Sequence, residues 1–297
     1  MRRGMRVRPL PPVRDLDPAA LWRPAPGSWR DRAAGARVGF AGRAVTGRLA
    51  TALARVEGSP VAAAWLRQMH GAAVVEARAG ACGAGDALVG DRPFLALAVV
   101  TADCVPVLLA ARGRVAAVHA GWRGIVEGVV PAALARLPGP PAERVAWLGP
   151  AIGPCCFEVE ERVAGEIAAA TGGEVVIPQP GGRRPHVDLW RAICEQLAGE
   201  VGEIRRLGLC TRCESERLHS YRRDGARAGR NLSWIVLEAQ LAPPEAPGLA
   251  AEGPELAAGG GDVVAAPAAD GGGQAVPLEP VAEGGDPLRL GGVPGAR

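Results

Sequence analysis

Five short apolar runs, at 62–65, 95–100, 105–109, 115–118 and 145–148, do most to limit what this chain can fold into. Each is too short for a buried helix and does not alternate with polar residues, so each reads as a strand covered on both faces. Gly, Pro and Asp punctuate the runs. Helical spacing of apolar residues fits 125–137, 160–170 and 188–197, with Pro131 expected to kink or shorten the first. Strands mixed with helices in this way predict an α/β or α+β domain, and 48% hydrophobic residues in a chain of 297 supply a sizeable core.

The ends of the chain read differently. Residues 1–36 are rich in Pro, Arg and Trp without periodicity and are expected to be irregular. The globular pattern runs over 37–239. From 240 to 297 the chain is Pro, Gly, Ala and acidic residues with little to bury, so disorder is expected there. Deleting 248–297 should therefore leave the melting temperature and activity nearly unchanged. A drop of many degrees in thermal denaturation would show instead that the tail docks on the domain.

Charge and residue usage exclude several classes. A net charge of +3 is too small and dispersed to argue for nucleic acid. The longest apolar stretch is interrupted by Asp103, so no membrane span is expected. The N-terminus lacks the apolar core of an export signal, and seven cysteines are an odd number, so a cytoplasmic, reducing setting is expected. All 34 cationic residues are Arg, which removes P-loop, Schiff-base and pyridoxal-phosphate chemistry together.

The chemistry is concentrated at the ends of the apolar runs. "RVAAVHAGWRG" (114–124) delivers His119, Trp122 and Arg123 to a glycine-lined turn. "WLRQMHGAAVV" carries His70 and "VVTADCVPVLL" carries Cys104, so one design recurs: apolar strand, nitrogen or sulfur donor, small residue. Such donors can converge at one end of a sheet, and Cys with two His is a catalytic zinc set with an open position. Their spacing is not a compact zinc signature, so a satisfied histidine and a free buried thiol stay open as readings. Asp103 is either an acceptor that orients an imidazole or a turn residue. Arg123, between Gly121 and Gly124 just before the N-terminus of a helix, is well placed for an anion such as phosphate, or is a surface arginine.

Other features carry less. In "LGPAIGPCCFEV", Cys155 and Cys156 are adjacent and are expected to pack rather than share a metal. "CTRC" offers Cys210 and Cys213 with no clear second pair. "HSYRRDGARAGR" holds His219, Tyr221, Arg222, Arg223 and Arg230, either a basic wall for an anionic substrate or a solvated hairpin. "GACGAG" lacks the order and the preceding strand of a dinucleotide loop.

Taken in order, "QMHGAAVV", "GDALV", "TADCVPVLL", "AAVHAGWRG", "LGPAIGPCCFEV" and "CT…HSYRRDGARAGR" resemble the laccase-domain family over about residues 37–235. Its members are called YfiH-type multicopper polyphenol oxidases or purine nucleoside phosphorylases. The resemblance implies a layered α/β/α single domain with a mixed sheet, similar to Cys–His toxin deamidases. It implies a zinc ion on His70, Cys104 and His119, and phosphorolysis of adenosine, inosine or methylthioadenosine with adenosine deamination as a companion. Purine nucleosides and inorganic phosphate would be the partners, with phosphate at Arg123 and at Arg43, Arg222 or Arg230; a homodimer stays open. Copper is less favoured, because a multicopper oxidase needs far more imidazoles than four.

One departure stands out. The family's "R-x-GG-x-S" turn and "NLG" segment are missing, and "GFAGRAVTGRLATALA" runs straight from Arg43 into a helix, which removes one wall of the pocket. Two rival readings follow: a metal-free Cys–His hydrolase or deamidase with Cys104 as nucleophile and His119 as base, or a degenerate member without turnover.

Overall fold

A computed structural model describes residues 9–21, 23, 27–172 and 174–238. The tail beyond 238 lies outside the described residues. In chain order the strands are β1 (Val13–Asp15), β2 (Ser28–Ala33), β3 (Ala36–Ala41), β4 (Ala62–Arg67), β5 (Val74–Glu76), β6 (Gly80–Ala84), β7 (Ala87–Gly90), β8 (Leu95–Thr101), β9 (Val105–Ala111), β10 (Arg114–Ala120), β11 (Val145–Leu148), β12 (Val176–Ile177), β13 (His186–Val187), β14 (Glu203–Arg206) and β15 (Asn231–Leu237). The helices are α1 (Leu49–Glu57), α2 (Trp122–Glu127), α3 (Val129–Leu134), α4 (Glu161–Thr171), α5 (Leu189–Leu197) and α6 (Tyr221–Asp224).

The five apolar runs become β4, β8, β9, β10 and β11. They divide between two mixed sheets, ordered β1-β14-β11-β9-β10-β7-β5 and β2-β3-β15-β8-β4-β6. Alternation of side chains across each strand explains why both faces are apolar. Along β10, Ala116 and Val118 face a core shared with α2, α3, α4 and α5, while Val115 and Ala117 face the other sheet. Along β8, Leu95, Leu97 and Val99 face the first sheet, while Ala96, Ala98 and Val100 pack under α1. The expected layered α/β arrangement is therefore present, with helices outside and mixed sheets inside. Its central layer is doubled: helix, sheet, sheet, helix.

Large side chains fill the space between the sheets. Trp29, Phe40 and Trp147 are buried there, and Trp147 donates its indole N–H to Asp31 at 2.8 Å. Under α1, Trp234 lies across Gly39, where a Cβ would come within 2.1 Å of the indole. Only glycine permits that approach.

Two expectations give way. The segment 1–36 is not irregular throughout: β1 pairs parallel with β14, and β2 forms an antiparallel pair with β3. Four of the six residues of β2, Ser28, Arg30, Asp31 and Arg32, are polar, so no apolar run announced it. The helix expected at 125–137 is broken at Gly128, whose φ of 83° ends α2 and starts α3. Pro131 sits in the first turn of α3, where a backbone N–H would have no helical partner in any case. No helix among the described residues is long and apolar enough to cross a membrane.

Candidate active site and metal centre

Three segments bring His70, Cys104 and His119 together. His119 is the penultimate residue of β10. Cys104 sits in the tight connection that takes the chain from β8 in one sheet to β9 in the other. His70 follows β4, and the Gln68 side chain holds that loop beside β8 by bonding both the N–H and the C=O of Val100, at 2.9 and 2.7 Å. One donor atom from each of the three residues lies within 4.8 Å of the others. The two imidazoles meet edge to face with ring centroids 4.8 Å apart. Gly121 makes room for the cluster, since a Cβ there would lie 3.1 Å from both Cys104 Sγ and His70 Cδ2.

Asp86, at the head of β7, organises this geometry. Its fully buried carboxylate accepts the backbone N–H groups of Met69, His70 and Gly71 at 2.8–3.2 Å. These bonds hold His70 in the left-handed region, at φ 64°, where a β-carbon is strained. The same carboxylate lies 2.8 Å from His119 Nδ1, which leaves Nε2 for the cluster. Carboxylate-backed imidazoles of this kind are usual at metal centres. Burial opposes the charge on Asp86, but hydrogen bonds from His119 and from the Gly71 and His70 N–H groups hold it below the usual carboxylate range. Asp86→Asn should therefore lower metal affinity about ten- to a hundredfold, measured by competition with a chelator. Unchanged affinity would show that His119 needs no such support.

Electrostatics favour a thiolate. Burial raises the Cys104 pKa, but the charge of His119 and hydrogen bonds from both imidazoles outweigh it and bring the thiol to about 6. His119 is almost fully buried, which disfavours its charge; Cys104 and Asp86 outweigh this and raise it to about 9. Thiolate sulfur and two imidazole nitrogens, one backed by a carboxylate, fit a single metal ion with an open position. They do not fit a copper cluster. Of the four histidines, His186 places Nδ1 2.6 Å from the Pro154 carbonyl, and His219 lies buried against Gly229, so neither joins the site.

The triad opens on a cavity of about 540 Å³, lined also by Gln68, Trp122, Arg123, Phe157, Tyr221, Arg222 and Arg230. That size suits a small-molecule ligand. Arg123 lies in the first turn of α2 with its guanidinium 4.4 Å above the Trp122 ring. Among the described residues no carboxylate pairs with it. Arg222 packs over Phe157 and bonds the Glu158 carbonyl, and Arg230 bonds the carbonyls of Ala228 and Gly229. Three of the expected arginines thus share the cavity with the triad. Arg43 does not line it. Its guanidinium bonds Asp224 and the Leu218 carbonyl, which anchors α6.

Further readings are corrected here. Asp103 orients no imidazole; it takes a φ of 90° and accepts bonds from the Thr211 hydroxyl and the Arg222 N–H, both at 2.6 Å. The orienting acid is Asp86, visible in "GDALV" only as an acid opening an apolar run. The segment from His219 to Arg230 is no hairpin, since it forms α6 and a further short turn with Ser220 as N-cap. Cys155 and Cys156 are not simply packed: their thiols converge with those of Cys210 and Cys213.

Comparisons with known proteins give the chain a family. The family described as "Multi-copper polyphenol oxidoreductase laccase" matches residues 26–238. A purine nucleoside phosphorylase of Pseudomonas aeruginosa is 40% identical over 179 residues, 59% of this chain and 74% of that protein. The purine nucleoside phosphorylase YfiH of Escherichia coli is 37% identical over 179 residues, 58% of this chain and 73% of that protein. A Neisseria meningitidis protein of the DUF152 family, solved by crystallography, superposes with a TM-score of 0.60 at 31% identity, covering 74% of this chain and 98% of its own. The match over residues 26–238, with these relatives and this fold, shows that the chain belongs to the multi-copper polyphenol oxidoreductase laccase family, which it shares with YfiH-type proteins named purine nucleoside phosphorylases.

Proposed function

We propose that this chain is a zinc-dependent purine nucleoside phosphorylase acting on adenosine, inosine or methylthioadenosine. The observation that carries this reading is one cavity of about 540 Å³ lined both by the His70–Cys104–His119 triad and by Arg123, Arg222 and Arg230. A nucleoside needs an apolar wall and a polar end, and inorganic phosphate needs fixed cations. Ile152, Phe157 and Trp122 supply the wall, and the arginines supply the cations.

In the reaction a phosphate oxygen forms a bond to the ribose anomeric carbon as the glycosidic C–N bond breaks. The purine leaves with the bonding electron pair, and the proton lost by hydrogen phosphate ends on a ring nitrogen. The products are free base and ribose 1-phosphate. Arg123 holds the phosphate and neutralises its charge, with Arg222 or Arg230 as the second contact. His70, Cys104 and His119 would hold the zinc, which would supply Lewis-acid polarisation when bound. Adenosine deamination in the same cavity would use water in place of phosphate. The test is adenosine incubated with and without phosphate, with products separated chromatographically. Adenine and ribose 1-phosphate forming only with phosphate is the expected result; adenosine unchanged in both overturns it.

A second reading rests on the proton distribution in the triad. A Cys104 thiol brought to about 6 beside a His119 raised to about 9 is also the pairing of a thiolate nucleophile and an imidazolium. Metal content decides between them, since a Cys–His nucleophile works in metal-free protein and is alkylated rapidly by iodoacetamide.

A further inference from the structure

We infer that Cys155, Cys156, Cys210 and Cys213 form a second metal site, a tetrathiolate that holds one zinc ion in a structural role. It stands apart from the triad and does not depend on the proposed reaction. All four sulfur atoms lie within 4.8 Å of one another. Cys213 Sγ is 3.7 Å from Cys155 Sγ and 3.5 Å from Cys156 Sγ. Four sulfurs at about 2.3 Å from a tetrahedral zinc are about 3.8 Å apart. The observed spacing is that of a ligand set, and it is far longer than a disulfide bond of about 2 Å.

Two turns build the cluster. After β11 the chain turns at Gly153, whose carbonyl accepts the N–H groups of both Cys156 and Phe157 at 2.9 and 3.0 Å. That tight bend presents two consecutive thiols to one point, which an extended dipeptide cannot do. After β14 the "CTRC" turn closes with the Glu214 N–H on the Cys210 carbonyl at 2.9 Å. A parallel bridge between Ala151 and Cys210 sets the turns side by side. The Gly153 N–H donates to Cys210 Sγ at 3.3 Å, the kind of backbone support a coordinated thiolate accepts.

The donor set selects the ion. Four sulfurs with no nitrogen or oxygen in the group suit a soft, tetrahedral cation, and leave no open position for catalysis. The placement gives the site a purpose. Phe157, next to Cys156, lines the substrate cavity, and Thr211, next to Cys210, bonds the Asp103 that precedes Cys104. A zinc ion here would clamp two turns that shape one side of the cavity.

The test uses the full chain, purified under reducing conditions from zinc-supplemented medium, with metals counted by mass spectrometry. Cys210→Ser with Cys213→Ser should hold one zinc fewer per chain than wild type, whatever the triad holds. Because that variant could unfold, the second measurement uses cobalt in Cys104→Ala, in which the tetrathiolate is the intact cluster. An intense thiolate-to-cobalt charge-transfer band of a four-sulfur tetrahedral site is expected. Equal zinc in wild type and the double variant overturns the proposal. So does a cobalt spectrum without four-sulfur character, iron as the bound metal, or disulfides mapped among these four residues under reducing conditions.

Discussion

Cys104→Ala is expected to fold, to lose one zinc ion relative to wild type, and to show no measurable phosphorolysis. The thiol is the only sulfur in the triad and is the donor most readily ionised, at a pKa of about 6. Without it two imidazoles remain. Loss of outer partners of a metal ligand already costs about ten- to a hundredfold in affinity, so loss of a ligand itself should cost more. The measurement must be a difference in metal per chain, because the second cysteine cluster would keep its own ion. Activity alone cannot separate the readings, since a nucleophilic Cys104 would also be essential. Full zinc occupancy in Cys104→Ala with activity abolished would assign the thiol to nucleophilic chemistry and remove the triad as a metal centre.

Arg123 should give the second large effect. If its guanidinium grips phosphate through two N–H groups, Arg123→Lys should lose nearly as much as Arg123→Ala, because a point charge cannot reproduce a fork. A charge-assisted bond is worth about 1.5–3 kcal/mol, so the KM for phosphate should rise about tenfold to a hundredfold. Zinc content should be unchanged, since Arg123 lies in α2 and outside the triad. Adenosine deamination, which consumes no phosphate, should change far less. Equal losses in both reactions with zinc retained would mean that Arg123 contacts the nucleoside. The phosphate site would then fall to Arg222 and Arg230, which face the same cavity.

The three triad residues were legible because each interrupts or ends an apolar run, where a polar donor has no packing reason to be. Asp86 was not, because an acid at the start of β7 has the same appearance as a turn residue. Its role depends on β7 lying beside β10, a pairing that periodicity does not reveal. The cysteine cluster was hidden for a related reason. Cys156 and Cys213 are 57 positions apart, and their turns meet because β11 pairs in parallel with β14 and the bridge between Ala151 and Cys210 continues that pairing. The edge strands β2 and β6 escaped notice because Arg, Asp, Gly and Ala dominate them. Pro131 suggested the wrong place for the helix break, because the position of a proline within its helix decides whether its missing N–H matters.

The doubled central layer gives the triad a mechanical meaning. His119 rides on one sheet, His70 is tethered to the other, and Cys104 is the link that crosses between them. A shear of one sheet over the other would pull the three donors apart, although each strand stayed intact. An ion that binds only the assembled triad stabilises the unsheared state by RT ln(1 + [L]/Kd), about 2.7 kcal/mol at a hundredfold excess over Kd. Amides of β8 and β10 should therefore exchange hydrogen more slowly once metal is added, far from the ion itself. Conversely, a bulky substitution between the sheets, at Ala110 or Ala117, should weaken metal binding without touching a ligand. Affinity at this centre is in that sense a gauge of how tightly the two sheets are held in register.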